Sequence, residues 1–368
     1  MRIALLTYST KPRGGVVHTL ELAEALARRG EDVTVWTLGR GGDQAFFRPV
    51  DPSVRVEVVP FAAQEREAVG PRIMRSIRTL AAAFDRSGAD VVHAEDCITA
   101  NAVPGAIRTV HHLDTFTTPE LVACHDRAIE RPSALVTVSR SVAAEVEAGW
   151  GRTPTVIPNG VDAARFAAAA GPASDAARAA WRARFGEYLL VVGGIEPRKG
   201  TIDALEGYAL ARRRHPDLRL VVAGGETLFD YAGYRQRFDR RREQLGVPVE
   251  VLGTVDHEAL PSLVAAARAV PFLSTKEGFG LSAMEALAAG VPVVARDLPV
   301  VREVFGRAVE RVPDGAGAAH GMAEAVDRAF TGVGPEPSLG RTLASSYSWD
   351  AAAAAHQALY ASLLASRA

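Results

Sequence analysis

The sequence predicts an α/β protein made of two doubly wound halves. Three observations carry that reading. Apolar, strand-like runs alternate with amphipathic helical runs through most of the 368 residues, the pattern of parallel sheets covered by helices on both faces. The length exceeds what a single core normally serves and suits two domains. The alternation also breaks once, over the small and polar stretch 161–187, and then restarts.

In the first half, RIALLTY (2–8) reads as a buried strand and KPRGG (11–15) as a loop. VVHTLELAEALARRG (16–30) follows, with apolar residues at helical spacing and a stop at Gly30. Further strands are read at DVTVWTL, VRVEVVP, DVVHAE, RTVHHL, ALVTVS and PTVIPNG, with PRIMRSIRTLAAAFDRSG (71–88) as an amphipathic helix among them. In the second half the strands are YLLVVGGI, LRLVVAGG, VEVLGTV, AVPFLST (269–275) and VPVVARDL, and the helices include TIDALEGYALARRRHP and LPSLVAAAR. The tail carries Trp349, His356, Leu359, Tyr360 and Leu363 on one face of a last helix. We place the boundary near Ala164, giving Rossmann-like domains 1–163, with 349–368, and 164–348. Doubly wound sheets bind ligands beyond the carboxyl ends of their strands, so the site is expected where the two halves face a cleft.

Composition removes several function classes. A net charge of −1 gives no electrostatic footprint for a nucleic-acid partner. Two cysteines, Cys97 and Cys124, are too few for a disulfide framework and suit a reducing compartment. The first apolar run is too short for a signal peptide, and the expected location is cytoplasmic. The arginines Arg72, Arg75 and Arg78 beside Ile73, Met74 and Ile77 leave open a weak peripheral membrane contact, against the alternative of a solvated face over a core.

Of 42 basic residues only Lys11, Lys199 and Lys276 are lysine, and each stands in a glycine-bearing loop. Lys11-Pro12-Arg13-Gly14-Gly15 follows the first strand and precedes a helix, where glycine lets a ligand approach and the helix start favours an anion. It matches neither G-x-G-x-x-G nor a P-loop, which argues against a dehydrogenase and excludes a Walker-type nucleotidase. In VVGGIEPRKG, Gly193-Gly194 end a strand and Arg198-Lys199-Gly200 precede a helix. Two adjacent cations there suit a diphosphate. Glu277 and Glu285 flank Gly278-Phe279-Gly280-Leu281 at the end of another strand, ahead of a helix expected from Ser282 to Gly290. Two readings of Glu285 stand: a capping box with Ser282, or a first-turn carboxylate that takes the hydroxyls of a ribose. No Asp-x-Asp pair or His/Cys run has metal-ligand spacing.

The E-x7-E element within EGFGLSAMEALAAGVPVVA, with GGVVHTLELAEALARRGEDVTV, VIPNGVD, GGIEPRKG, LGTV and SWDAAAAAHQALYASLL, resembles the retaining glycosyltransferases of family four. That resemblance spans nearly the whole chain and implies the GT-B fold. It implies transfer of a sugar from a nucleotide-diphosphate donor, of UDP, GDP or ADP type, to a hydroxyl acceptor, with no cofactor and no metal required. It implies that Glu277 contacts the transferred sugar and that Gly278, Phe279, Gly280 and Leu281 offer backbone groups to sugar and phosphate. Glu285 would hold the ribose, Arg198 and Lys199 the leaving diphosphate, and Thr254 and Val255 the base. Gly14, Gly15 and Gly194 would approach the donor. The family's N-terminal histidine falls on His111 or on His112, with Asp114 beside them as a sugar or acceptor contact. Domain 1–163 would face the acceptor through loops 39–49 and 114–126, and domain 164–348 would hold the donor. The rival readings are a nucleotide-sugar epimerase of similar build and a non-catalytic sugar-nucleotide sensor.

Overall fold

The computed structural model describes residues 1–116, 118–225 and 231–366. They form two units, Met1–Gly160 with Tyr347–Ala368, and Val161–Ser346. Unit 1 runs β1 (Arg2–Thr7), α1 (Gly14–Arg28), β2 (Asp32–Arg40), β3 (Arg55–Phe61), α2 (Val69–Ala83), β4 (Val91–Ala94), α3 (Cys97–Ala102), β5 (Ile107–Val110), α4 (Pro119–Glu130), β6 (Ala134–Thr137), α5 (Arg140–Trp150) and β7 (Thr155–Val156). The sheet order is β3-β2-β1-β4-β5-β6-β7, parallel throughout. β1 is apolar without alternation because both faces of the sheet are covered, and Ile3, Ala4, Leu5 and Leu6 are all buried.

The order of strands reverses between β1 and β4, so the loops after those two strands part there and leave a crevice. Asp96 ties the two loops together. Its carboxylate accepts from Tyr8 N at 2.9 Å and caps α3 by accepting from Thr99 N, while Thr99 caps it in return. A last helix, Trp349–Ala365, belongs to this unit and buries Trp349, His356 and Tyr360.

Unit 2 runs α6 (Ala163–Ala170), α7 (Asp175–Phe185), β8 (Tyr188–Val192), α8 (Thr201–Ala211), β9 (Arg219–Ala223), α9 (Ala232–Leu245), β10 (Val249–Gly253), α10 (Leu260–Ala266), β11 (Val270–Phe272), α11 (Leu281–Ala288), β12 (Val293–Arg296), α12 (Pro299–Phe305), β13 (Glu310–Val312), α13 (Ala318–Thr331) and α14 (Pro337–Ser346). Two parallel three-stranded sheets, β10-β9-β8 and β11-β12-β13, meet through a Leu189–Ala269 bridge. Backbone bonds Leu190 N to Ala269 O (3.0 Å) and Arg268 N to Tyr188 O (2.8 Å) complete the seam. The switch point of this unit therefore lies between β8 and β11. Its core gathers Leu189, Val191, Leu205, Tyr208, Leu220, Val222, Phe238 and Met322.

Several elements differ from the sequence reading. α1 begins at Gly14, so Gly14 and Gly15 are its first residues and not a loop before it. β5 ends at Val110 and β11 at Phe272, which leaves His111, His112 and the stretch 273–280 beyond their strands. α11 starts at Leu281 behind Gly280, which holds φ 98, a left-handed conformation that favours glycine. The helices α3, α4, α5, α9, α12, α13 and α14 and the strand β13 carry no reading from the sequence. α3 is very short, and α9 buries only Phe238, so neither shows a wide apolar stripe.

Candidate functional site

At the switch point of unit 2, two loops carry the charged residues. The loop after β8 leads through Pro197–Lys199, a single tight turn, to Gly200 in the left-handed region (φ 61) and into α8. The loop after β11 carries Ser274 to Gly280. Thr275 N donates to Arg198 O at 2.8 Å, which fastens one loop to the other.

The geometry then brings three predicted residues together. Lys199 Nζ donates to Glu277 Oε2 at 3.0 Å, and an Arg198 guanidinium nitrogen lies 3.5 Å from the same oxygen. Two neighbours that the sequence reading did not select complete the group. Ser274 Oγ donates to Glu277 Oε2 at 3.2 Å, and Glu196 accepts from Arg198 at 3.2 Å. Burial pushes the Lys199 ammonium below its usual range, and the Glu277 carboxylate opposes that shift. Lys199 also sits over the Phe272 ring, 5.6 Å from its centroid. Gly193 lies against the Lys199 stem, and Thr201 Oγ1 reaches the Gly194 carbonyl at 3.4 Å.

Beneath these loops lies Arg296, at the end of β12 and 2% exposed. Its Nε donates to Leu273 O at 3.0 Å, one guanidinium nitrogen to Asp314 at 2.7 Å, and the other to Asp203 in the first turn of α8. A Cβ on Gly200 would collide with the Leu273 carbonyl. Arg296 and Gly200 therefore set the spacing between the Lys199 loop and the Glu277 loop. One of 39 arginines gives no sequence signal of this role; it shows only once β12 is placed beside β11.

Gly278, Phe279 and Gly280 are buried, and Leu281 opens α11. Glu285 lies at the fifth position of α11, in its second turn, and the capping box with Ser282 does not form because Gly280 is the cap residue. A ribose contact from Glu285 would thus come from one turn inside the helix. Thr254 and Val255 follow β10, the outer strand of their sheet, and Thr254 Oγ1 stands against Gly225.

At the switch point of unit 1, α1 and the ends of β4 and β5 bring other side chains together. His111 lies against Gly15: a Cβ there would be 3.4 Å from its ring. Glu95 Oε2 lies 3.5 Å from His111 Nε2 and 3.4 Å from His18 Nε2. Burial lowers both histidines to about 3 and raises Glu95. His112 is directed elsewhere, 3.3 Å from Asp114. Of the two histidines, His111 is therefore the one beside Gly15. Gly14 is open on its Cβ side. Thr117, within loop 114–126, lies outside the described residues. In α2, Ile73, Ile77 and Leu80 are buried, and Arg75 is paired with Glu67 at 2.6 Å and laid on Phe61. No helix among the described residues is long and apolar enough to cross a membrane.

The chain matches the family Glycosyltransferase Family 4 over residues 12–165 and the family Glycosyl transferases group 1 over residues 178–333. It is 30% identical over 323 residues to phosphatidyl-myo-inositol mannosyltransferase of Mycobacterium tuberculosis, covering 83% of this chain and 80% of that protein. It is 29% identical over 344 residues to glycogen synthase of the same organism, covering 81% and 78%. Among solved structures it resembles sucrose-phosphate synthase from Thermosynechococcus elongatus, with a TM-score of 0.76 at 20% identity over 99% of both chains. It also resembles Anabaena HepE in complex with UDP and glucose, with a TM-score of 0.75 at 20% identity over 98% and 100%. With the doubly wound units and the paired loops of the site, these findings make the chain a member of the group 1, family four glycosyltransferases, with the GT-B fold.

Proposed function

We propose that this glycosyltransferase moves a glycosyl unit from a nucleotide-diphosphate sugar to a hydroxyl acceptor with retention of anomeric configuration. The observation that carries the reading is the Arg198–Lys199–Glu277 group at the switch point of unit 2, where two cations and one carboxylate converge on one small volume. Names of similar proteins support the donor class: HepE is in complex with UDP and glucose, and the two relatives are a mannosyltransferase and a glycogen synthase.

In this reading unit 2 holds the donor. Arg198 and Lys199 meet the diphosphate, each hydrogen bond to the charged group contributing about 1.5–3 kcal/mol. They stabilise charge that grows on the leaving phosphate oxygen, which is the part of the binding that lowers the barrier. Glu277 exchanges its bond to Lys199 for bonds to sugar hydroxyls as the diphosphate arrives. The backbone of 278–281 lines the sugar and phosphate, Gly194 faces the diphosphate, Glu285 takes the ribose, and Thr254 and Val255 border the base. The glycosidic bond to phosphate breaks, the acceptor oxygen bonds to the anomeric carbon on the same face, and the released phosphate oxygen takes the acceptor proton. No metal is needed where two cations already neutralise the diphosphate. Unit 1 faces the acceptor, with Gly14 and Gly15 opening α1 to the donor phosphate, the accessible edge of His111 beside the sugar, and His112 with Asp114 beside the acceptor.

We place the reaction in the cytoplasm, on the strength of composition and two free cysteines. Lipid contact through α2 is a minor part of the reading, because its apolar residues are buried and Arg75 is engaged.

Calorimetry with UDP, GDP and ADP, without and with magnesium, tests the reading. One nucleotide should bind regardless of magnesium, and Lys199→Ala should weaken that binding at least about tenfold. Failure of all three to bind would remove the donor assignment. Product analysis by proton NMR decides the stereochemistry; an inverted anomeric centre would remove the retaining mechanism.

A further inference from the structure

Three donor atoms from separate elements converge inside unit 1. His18 lies on the second turn of α1, Glu95 directly after β4 and His111 directly after β5. One ring nitrogen of His18, one Glu95 carboxylate oxygen and one ring nitrogen of His111 lie within 4.8 Å of one another. His18 and Glu95 are each 1% exposed. All four atoms, the two Nε2 and both Glu95 oxygens, are buried and form no well-aligned hydrogen bond. The Thr109 hydroxyl also bears on Glu95, but it is engaged at 2.8 Å with His93 Nε2. No arginine or lysine pairs with Glu95 among the described residues; the groups around it are His18, His93, His111, Thr109 and, further off, Tyr360.

A buried carboxylate facing two imidazoles, with none of these atoms in a well-aligned hydrogen bond, is satisfied either by a proton or by a cation. The separations suit a cation. A zinc-class cation with ligands at about 2.0–2.2 Å in a tetrahedron puts neighbouring donor atoms roughly 3.4 Å apart. The two nitrogen–oxygen separations are 3.4 and 3.5 Å. The outer contacts agree. His18 Nδ1 donates to Asn159 Oδ1 at 2.9 Å, which leaves the Nε2 lone pair turned to Glu95. The Glu95 main chain likewise bears on the His111 ring. We propose that His18, Glu95 and His111 bind one divalent cation of the zinc class, with the fourth position open to water. Sequence spacing hides this trio because its members lie 77 and 16 residues apart on three elements.

The cation would cross-tie α1 to the ends of β4 and β5 and fix the His111 ring beside Gly15. No step of sugar transfer uses it, so the site stands or falls apart from the donor assignment. The test loads metal-stripped full-length protein with zinc, removes the excess by gel filtration and counts metal by mass spectrometry. Wild type should retain one zinc per chain. His18→Ala and Glu95→Gln should retain almost none, with circular dichroism confirming their fold, and Asn159→Ala should bind about 10–100-fold more weakly. Cobalt(II) added to the stripped wild type should give the visible absorption of a tetrahedral nitrogen–oxygen site, a readout that needs no variant. Absence of both retained zinc and the cobalt band would overturn the proposal, leaving a proton-sharing buried cluster. Full zinc retention in both variants would overturn it too, placing the metal elsewhere.

Discussion

At the switch point of unit 1, between β1 and β4, the side chains brought together are His18, Glu95 and His111, where burial lowers both histidines and raises the carboxyl. At the switch point of unit 2, between β8 and β11, they are Arg198, Lys199, Glu196 and Glu277, joined by salt bridges. Both places arise from the same parallel topology, where strand order reverses and the loops part. What differs is what each loop brings. Unit 1 delivers its residues from the buried turn of a helix and the first positions after strands. Unit 2 delivers them from loops that stay partly open to water. Topology decides where a site forms, and the exposure of the donor segment decides whether it carries charge.

Four predictions press on this difference. The largest effect is expected for Lys199→Ala, which removes the cation proposed to meet the leaving group. The rate of sugar transfer should fall about 10²–10³-fold with unit 1 unaltered in hydrogen exchange; a loss below tenfold would show that the charge of unit 2 is not catalytic. Glu277→Gln keeps the shape and removes the charge. It should lower the rate about 10–100-fold while nucleotide affinity changes little, measured by steady-state kinetics beside calorimetry. Arg296→Met leaves the Leu273 carbonyl without its donor and frees two loops. It should cost about 2–3 kcal/mol and lower the melting of unit 2 by roughly 5–10 °C, read by hydrogen exchange at each unit separately.

The smallest effect concerns pH. His356, buried under the last helix of unit 1, is lowered from the usual histidine value to about 4, mainly by burial. The unfolded chain takes up that proton first, so the stability it contributes is complete above about pH 6.5 and is lost as pH falls toward about 4. In unit 2, the Arg296 bond holds the Asp314 carboxylate below its usual value. Its contribution persists down to the ordinary aspartate range and is lost only below it. Acid should therefore loosen unit 1 before unit 2, in hydrogen exchange between pH 7 and 4. The reverse order would mean that the exposed ion pairs of unit 2 govern acid stability.

Much of this was legible in the sequence, and the limits have physical causes. Buried parallel strands read well because both faces are apolar, as in β1, β8 and β9. Glycine and charge clustered at strand ends marked the loops of Lys199 and Glu277. The helix beginning at Leu281 is expected one residue later, at Ser282, because Ser282 imitates a cap while Gly280, by virtue of its left-handed backbone, supplies the real start. His18, Glu95 and Arg296 stayed silent. Each acts through neighbours far off in sequence, and none stands in a run whose composition departs from a helix or strand interior.

Arg296 carries a consequence for how such a chain can be altered. The charged loops of unit 2 are bolted from behind, by a buried guanidinium. Side chains on the solvent side of those loops can then be exchanged while the frame keeps its registration. An engineer altering this unit should leave the bolt and its two aspartates alone.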